Sequence, residues 1–136
     1  MSEQNKSLVE QAYNNFKSGN IEALLNLMSE DISWTLPEME GVPFGGSRNG
    51  RAAVAEFFDK VIGSQEVVSF EPKELIADGD RVVALGRYDW RVKANHNEFG
   101  GGFAHVWTIR DGKAVEFREY MDTAACTNAY RKAMSA

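Results

Sequence analysis

The spacing of apolar residues changes from a helical period to a strand period part-way along the chain, and this change limits the folds available to it. Apolar residues recur every three or four positions over residues 8–16 and 21–28, which predicts a hairpin of two helices joined at Ser18-Gly19-Asn20. A third helix is predicted from about Arg51, because a wide apolar stripe follows it. After Gly63 the period falls to two, the period of strands. Helices followed by antiparallel strands predict an α+β fold rather than a doubly wound parallel sheet.

The part of the chain after Gly63 divides into four predicted strands, over residues 67–76, 81–94, 99–110 and 113–122. A shorter strand is predicted over residues 32–36, ending at Pro37, and a last helix is predicted from Thr123. Residues 37–50 between them form a loop rich in Gly and Pro. We expect this loop to be a mobile rim in which Phe44 covers an apolar pocket.

Composition limits the class of protein and its partners. The chain of 136 residues is 43% hydrophobic, which excludes a disordered chain, and we expect a single domain over residues 1–136. A formal charge of −5 with scattered Lys and Arg argues against a nucleic-acid partner. The single cysteine, Cys126, has no internal disulfide partner and fits a reducing compartment. No apolar run has the length of a membrane span. We therefore expect a cytoplasmic protein with no membrane partner.

The stretch EFREYMDTAA, residues 116–125, holds three carboxylates, and the register of the last hairpin decides which of them points inward. A two-residue loop at Asp111-Gly112 would mix apolar and charged side chains on both faces. A three-residue loop with Gly112 in a bulge would pair His105 with Phe117 and separate the faces more cleanly. The sequence therefore predicts the three-residue loop.

One face of this hairpin is predicted to be apolar except for Glu119 and His105. It would comprise Phe103, His105, Trp107, Ile109, Val115, Phe117, Glu119 and Met121. Glu119 would lie diagonal to His105, within about 7 Å between Cβ atoms. Glu116 is expected to point to solvent. Asp122 or Thr123 is expected to cap the N-terminus of the last helix.

A carboxylate on an apolar face is costly unless it is paired or neutral, which leaves two interpretations of Glu119. In the first, an ion pair with Arg87, Arg91 or His105 merely satisfies a polar group in the core. In the second, Glu119 belongs to a functional site, where perturbed groups tend to cluster.

Several motifs together resemble a known family. They are the helical hairpin, the strand with Trp34, GRAAVAEFF at residues 50–58, DGDRV at residues 78–82 and HVWTIRDGKAVEF at residues 105–117. These motifs resemble the SnoaL-like polyketide cyclases and ketosteroid-isomerase-related proteins of the nuclear transport factor 2-like superfamily, over nearly the whole chain. The resemblance implies a cone-shaped, curved antiparallel sheet with N-terminal helices packed on its concave face, and homodimers formed sheet to sheet. That fold hosts isomerases, cyclases, dehydratases, epoxide hydrolases and non-catalytic binders.

The resemblance to the cyclases implies an acid/base pair made by His105 on the penultimate strand and Glu119 on the last one, although the family cyclases carry Asp where this chain has Glu119. The ketosteroid isomerases match less well. Their base precedes a proline after the first strand, where this chain has Leu36. Their second acid is matched by His105, and their first-helix tyrosine falls near Ala12, one step from Tyr13. Isomerisation of a steroid by that trio is therefore not expected.

The predicted function is that of a cofactor-free enzyme that acts on a hydrophobic small molecule by general acid/base catalysis, as in cyclisation, isomerisation or dehydration. Glu119 would move a proton at a carbon next to a carbonyl, and His105 would polarise the carbonyl or position a water. The predicted substrate-binding residues are Trp34, Leu36, Tyr13, Tyr88, Phe103, Trp107, Phe117 and Met121.

Two alternatives remain open: a non-catalytic domain that binds a hydrophobic metabolite in the same pocket, and the addition of water to an epoxide. No metal or cofactor is expected. His96, His105 and Cys126 lack metal-ligand spacing. The three glycines at 100–102 are not followed by the helix and Lys-Ser/Thr of a phosphate-binding loop.

Overall fold

The computed structural model describes residues 2–135, with side chains as far as residue 131. Its helices are α1 (Ser2–Lys17), α2 (Ile21–Leu25), α3 (Arg51–Ser64) and α4 (Thr123–Ser135). Its strands are β1 (Met28–Thr35), β2 (Ser47–Asn49), β3 (Gln65–Asp78), β4 (Arg81–Val92), β5 (Glu98–Arg110) and β6 (Lys113–Tyr120). Helices therefore precede the long strands, as the change of period predicts.

The six strands form one curved, open sheet in the order β2-β1-β6-β5-β4-β3. Every neighbouring pair is antiparallel except β1 and β6, which run parallel. The N-terminal helix α1 packs on β3 and β4, and α3 packs mainly on β1. The predicted α+β fold is confirmed. The sequence did not indicate that β1 would lie beside the last strand, because that contact is between distant parts of the chain.

The second helix is shorter than predicted. It ends at Leu25, where the backbone N–H of Asn26 bonds carbonyls of the last turn, and the side chain of Asn20 accepts from the N–H of Ala23 at its start. Met28, which the helical period places on α2, instead begins β1 and pairs with Ala114. Met28 is apolar and fully buried in this strand, so its burial fits either interpretation of the period.

The hairpin of β5 and β6 differs from its predicted register. Asp111 and Gly112 have φ of 51° and 74°, so they form a two-residue turn whose left-handed backbone matches the twist of the strands. Arg110 pairs with Lys113 across this turn. An irregularity then leaves Val115 unpaired and shifts the register by one residue.

Beyond this irregularity, the predicted inward residues of β6 lie on the same face of the sheet as those of β5. Trp107 pairs with Phe117, and His105 lies directly opposite Glu119 rather than diagonal to it. The prediction of faces is therefore right except for Val115, because Ala114 is the buried residue opposite Ile109. The predicted three-residue loop and the predicted pairing of His105 with Phe117 are wrong. Turn chemistry sets the loop length, and the irregularity beyond the turn restores the segregation of faces.

The loop at residues 37–50 contains a strand that sequence reasoning missed. β2 pairs with β1 through Ser47 and Thr35, and Gly45 lies so close to Pro37 that a Cβ at that position would be 2.9 Å from the Pro37 carbonyl oxygen. Phe44 is buried. The loop therefore packs on the core, and its mobility stays a prediction. Among the residues that the structure describes, no helix is long and apolar enough to cross a membrane.

Candidate active site

A cavity opens between the helices and the inner face of the sheet, with about 660 Å³ of space including its open mouth. Its wall is largely aromatic, and Glu119 is the one carboxylate among the described residues that line it. The lining comprises Ala12, Tyr13, Phe16, Leu24, Trp34, Leu36, Phe44, Phe57, Phe58, Val61, Gln65, Phe70, Tyr88, Trp90, Phe99, His105, Trp107, Phe117, Glu119 and Met121. Such a wall suits a flat, apolar ligand.

Two side chains contact one oxygen of the Glu119 carboxylate. The hydroxyl of Tyr88 donates to Oε2 over 2.7 Å. His105 Nε2 lies 3.1 Å from the same oxygen, although that nitrogen makes no well-aligned hydrogen bond to a described group. The Glu119 side chain is only 10% exposed, so the carboxylate lies almost out of solvent. These contacts bring together the two residues that the sequence predicts as the acid/base pair.

The tyrosine of α1 fixes the other side of the imidazole. The Tyr13 hydroxyl lies 2.7 Å from His105 Nδ1, and the same oxygen accepts a hydrogen bond from Trp107 Nε1 over 3.1 Å. A phenol that accepts from the indole can give its own proton to Nδ1. A neutral His105 then carries its proton on Nε2, beside Glu119. Trp107, Tyr13, His105, Glu119 and Tyr88 thus form one continuous polar chain within an aromatic wall.

Both tyrosines of this chain remain protonated at neutral pH. Burial raises the pKa of Tyr13 far above its ordinary value, and the nearby Glu119 raises it further against the opposing effect of Trp107. Burial and the charge of Glu119 likewise raise the pKa of Tyr88 well beyond its ordinary value. Each hydroxyl therefore acts as a hydrogen-bond donor to its neighbour rather than as an anion.

The two oxygens of Glu119 are in different environments. Oε2 receives the contacts of Tyr88 and His105, whereas Oε1 has no hydrogen-bond partner among the described groups. Oε1 is also not fully covered by protein atoms. A carboxylate that is held by one oxygen and open at the other can accept a proton from a ligand in the cavity.

The other carboxylates of the stretch serve structural roles. Asp122 accepts from the N–H of Ala125 over 2.9 Å and caps α4, as predicted. Glu116 bonds Thr108 and Arg118. The arginines considered as partners of Glu119 are engaged elsewhere, Arg87 with Asp89 and Arg91 with Glu66 and Glu98. Of the partners considered, His105 is the one that contacts Glu119.

The structure brings most of the predicted substrate-binding residues to the cavity wall, namely Trp34, Leu36, Tyr13, Tyr88, Trp107, Phe117 and Met121. Phe103 is not in the wall. It lies behind it, with its ring stacked on His105 at 4.2 Å and on Tyr88 at 5.0 Å between centroids. Phe103 therefore supports the orientation of these two side chains.

Sequence reasoning did not assign ten of the wall residues to the pocket, namely Ala12, Phe16, Leu24, Phe57, Phe58, Val61, Gln65, Phe70, Trp90 and Phe99. Most belong to apolar faces that the periodicity does identify, but periodicity does not distinguish a cavity wall from a filled core. Gln65 carries no such signal, since a lone glutamine at the start of a strand is typical of an exposed position.

The described residues contain no group of three or more His, Cys, Asp or Glu side chains placed to hold a metal ion. The lining of the cavity, as far as side chains are described, also contains no Lys or Arg that could pair with a phosphate. The polar groups in the wall are therefore those of Glu119 and its neighbours, the amide of Gln65 and the indole N–H groups of the tryptophans.

The curved sheet, the helices on its inner face and the cavity between them define a nuclear transport factor 2-like pocket protein. The model of the SnoaL-like domain matches residues 9–117, so the chain belongs to the SnoaL-like domain family. The matched segment contains His105 and ends just before Glu119. No curated protein matches the sequence.

Solved structures agree with this assignment. A nuclear transport factor 2-like protein from Burkholderia xenovorans is 31% identical, with a TM-score of 0.86 over 96% of this chain and 98% of that one. TerC, co-crystallised with polyporic acid, is 31% identical, with a TM-score of 0.79 over 94% of this chain and 98% of that one. A protein of Mesorhizobium loti, assigned by name to the SnoaL-like polyketide cyclases, has a TM-score of 0.71 over 85% of this chain and 97% of that one. At 17% identity, that last likeness concerns the fold alone.

Proposed function

We propose that the protein is a cofactor-free enzyme that removes a proton from a carbon next to a carbonyl in a flat, hydrophobic small molecule. The observation that carries this proposal is the asymmetry of Glu119, whose Oε2 accepts from Tyr88 and contacts His105 while Oε1 has no partner among the described groups. A purely structural ion pair gives no reason for an unpartnered carboxylate oxygen in an aromatic cavity.

In the proposed reaction, Oε1 of Glu119 takes the proton and the electrons of the broken C–H bond move onto the carbonyl oxygen, which gives an enolate. His105 carries its proton on Nε2, which is covered beside Oε2 in this structure, and donates it as a hydrogen bond to the enolate oxygen once the imidazole turns toward the ligand. The enolate then takes the proton back from Glu119 at a different, conjugated carbon, or its α carbon attacks a second carbonyl whose oxygen takes that proton, or a hydroxyl group on the β carbon leaves as water with that proton. These outcomes are isomerisation, cyclisation and dehydration respectively.

The likeness to TerC supports a small organic ligand in this cavity, since TerC was co-crystallised with polyporic acid and matches most of this chain. The same polar chain also fits the alternative of a non-catalytic binder, in which His105 and Tyr88 merely satisfy a buried Glu119. The two proposals differ in whether Oε1 exchanges protons with a bound ketone. The expected cytoplasmic location and the homodimer belong to this proposal as well.

The test is the exchange of hydrogen for deuterium at the α carbon of β-tetralone in heavy water, followed by proton NMR. We expect the wild type to accelerate exchange and Glu119→Gln to lose about a hundredfold or more of that acceleration, the contribution typical of a general base. Glu116→Gln is the matched control, because Glu116 lies on the same strand but bonds Thr108 and Arg118 outside the cavity. Wild-type exchange in Glu119→Gln would refute the proposed base. Tight binding of β-tetralone without exchange by the wild type would favour the binder.

A further inference from the structure

The cavity has a second polar group, distant from Glu119, that the proposed reaction does not use. Gln65 begins β3, is only 4% exposed and lines the cavity. Most buried side-chain amides have partners for their polar atoms, because an unpaired buried group loses its hydration without compensation. Gln65 satisfies this rule with one of its two polar atoms.

The side chain of α4 that fixes this amide is Tyr130. Its hydroxyl lies 2.5 Å from Gln65 Oε1 and 3.0 Å from the Oγ of Ser64, which itself donates to the Lys60 carbonyl over 2.6 Å. Bonds of about 2.5–3.0 Å are typical of an O–H donor, whereas N–H donors lie at about 2.7–3.2 Å. The phenol has one proton, and we assign it to the shorter of its two contacts, which orients the amide with its oxygen toward Tyr130. Burial raises the pKa of Tyr130 to about 12, so the hydroxyl keeps the proton that it donates.

This orientation leaves the amide nitrogen of Gln65 without a partner in the part of the chain whose side chains are described. No described group accepts a hydrogen bond from Nε2, and neighbouring atoms do not cover Nε2 completely. Nε2 thus remains reachable, on a residue that lines the cavity. It offers two N–H donors to an acceptor on a ligand.

The sheet sets the separation between this donor and the proposed base. Gln65 pairs with Val92 on β4, and Tyr88, whose hydroxyl holds Glu119, lies four residues earlier on that strand. At about 3.3 Å per residue, the two ends lie about 13 Å apart along the backbone. Trp90 lies between them and lines the cavity, so the intervening surface is aromatic.

We propose that Gln65 Nε2 binds a neutral oxygen at the distal end of the substrate, so that the substrate is a flat molecule of two or more fused rings with an oxygen at each end. One end carries the ketone whose α proton faces Glu119, and the other carries a carbonyl, ether or hydroxyl oxygen. A carboxylate or phosphate there is disfavoured, because no Lys or Arg is among the described lining residues. This inference rests on the proposed function for the position of the ketone.

The test compares β-tetralone with its derivative that carries a methoxy group on the aromatic ring, remote from the ketone. We expect the wild type to bind the methoxy compound about threefold to tenfold more tightly, the gain typical of one neutral hydrogen bond. In Gln65→Met, which keeps the length of the side chain and removes the donor, the gain should disappear, so that the two compounds bind with equal affinity. Gln11→Met, on the exposed side of α1, is the matched control and should keep the gain.

A second measurement covers the case in which Gln65→Met is poorly folded. In a proton–nitrogen correlation spectrum of the wild type, the side-chain amide signals of Gln65 should move with the methoxy compound and stay in place with β-tetralone. An equal methoxy gain in Gln65→Met, or Gln65 signals that respond alike to both compounds, would overturn the assignment of Gln65 and leave the role of Glu119 intact. Failure of the wild type to bind either compound would overturn both proposals.

Discussion

Replacement of Tyr13 by Phe tests the polar chain at its centre. The change removes one oxygen and keeps the ring, yet it takes away both the acceptor of Trp107 Nε1 and the donor to His105 Nδ1. Trp107 and His105 are 2% and 5% exposed, so solvent does not replace the lost partner. Each of the two buried groups left without a partner costs about 1–3 kcal/mol, so we expect the free energy of unfolding to fall by about 2–6 kcal/mol.

The assay is urea denaturation, with Tyr120→Phe as the matched control because the side chain of Tyr120 is 53% exposed. The loss should appear in the midpoint of unfolding at an unchanged slope. The α-exchange of β-tetralone should also fall, since His105 no longer has its proton confined to Nε2. A Tyr13→Phe variant within about 0.5 kcal/mol of the wild type would refute this reasoning. Such a result would mean that the two contacts of the Tyr13 hydroxyl carry no net stability.

Two further predictions concern Cys126 and the outer face of the sheet. Burial, and secondarily the charge of Glu119, raises the pKa of the Cys126 thiol to about 12, so the unfolded chain releases this proton at a lower pH than the folded one. The stability contributed by the neutral thiol is present below pH 9 and falls as pH rises toward 12. In urea denaturation, the free energy of unfolding of Cys126→Ala should therefore fall less between pH 9 and pH 12 than that of the wild type. The outer face exposes Leu85 and Tyr120, and we expect a homodimer through it that Leu85→Glu weakens. A monomer mass for the wild type by light scattering at micromolar concentration would exclude that dimer.

The positions of Glu119 and His105 on one face could be predicted from the sequence because strand faces depend only on parity. The alternation of Phe103, His105 and Trp107 fixes β5, and that of Phe117 and Glu119 fixes β6. Their exact register could not be predicted, since it depends on the left-handed turn and on an irregularity that periodicity does not report. The observed register differs from the predicted one by two residues, and an even shift keeps each side chain on the same face of the sheet.

The hydrogen-bond partners of His105 and Glu119 could be identified only from the structure. Tyr13 lies on α1, more than ninety residues from His105 in sequence, and their contact arises only when that helix packs on the sheet. The same holds for Gln65, which Tyr130 of the last helix orients across sixty-five residues. Local propensity carries no information about such pairs, whereas it does identify α1 and α3 and the ends of the long strands within a few residues.

The most direct test of the central claim, that the Glu119 carboxylate accepts the proton, is chemical rescue of Glu119→Ala. The substitution leaves room at the end of the cavity where Tyr88 and His105 remain. We expect the variant to lose the α-exchange of β-tetralone and added acetate to restore it in a saturable manner. Exchange at the wild-type rate without acetate, or a folded variant that binds β-tetralone but that acetate does not restore, would contradict the claim.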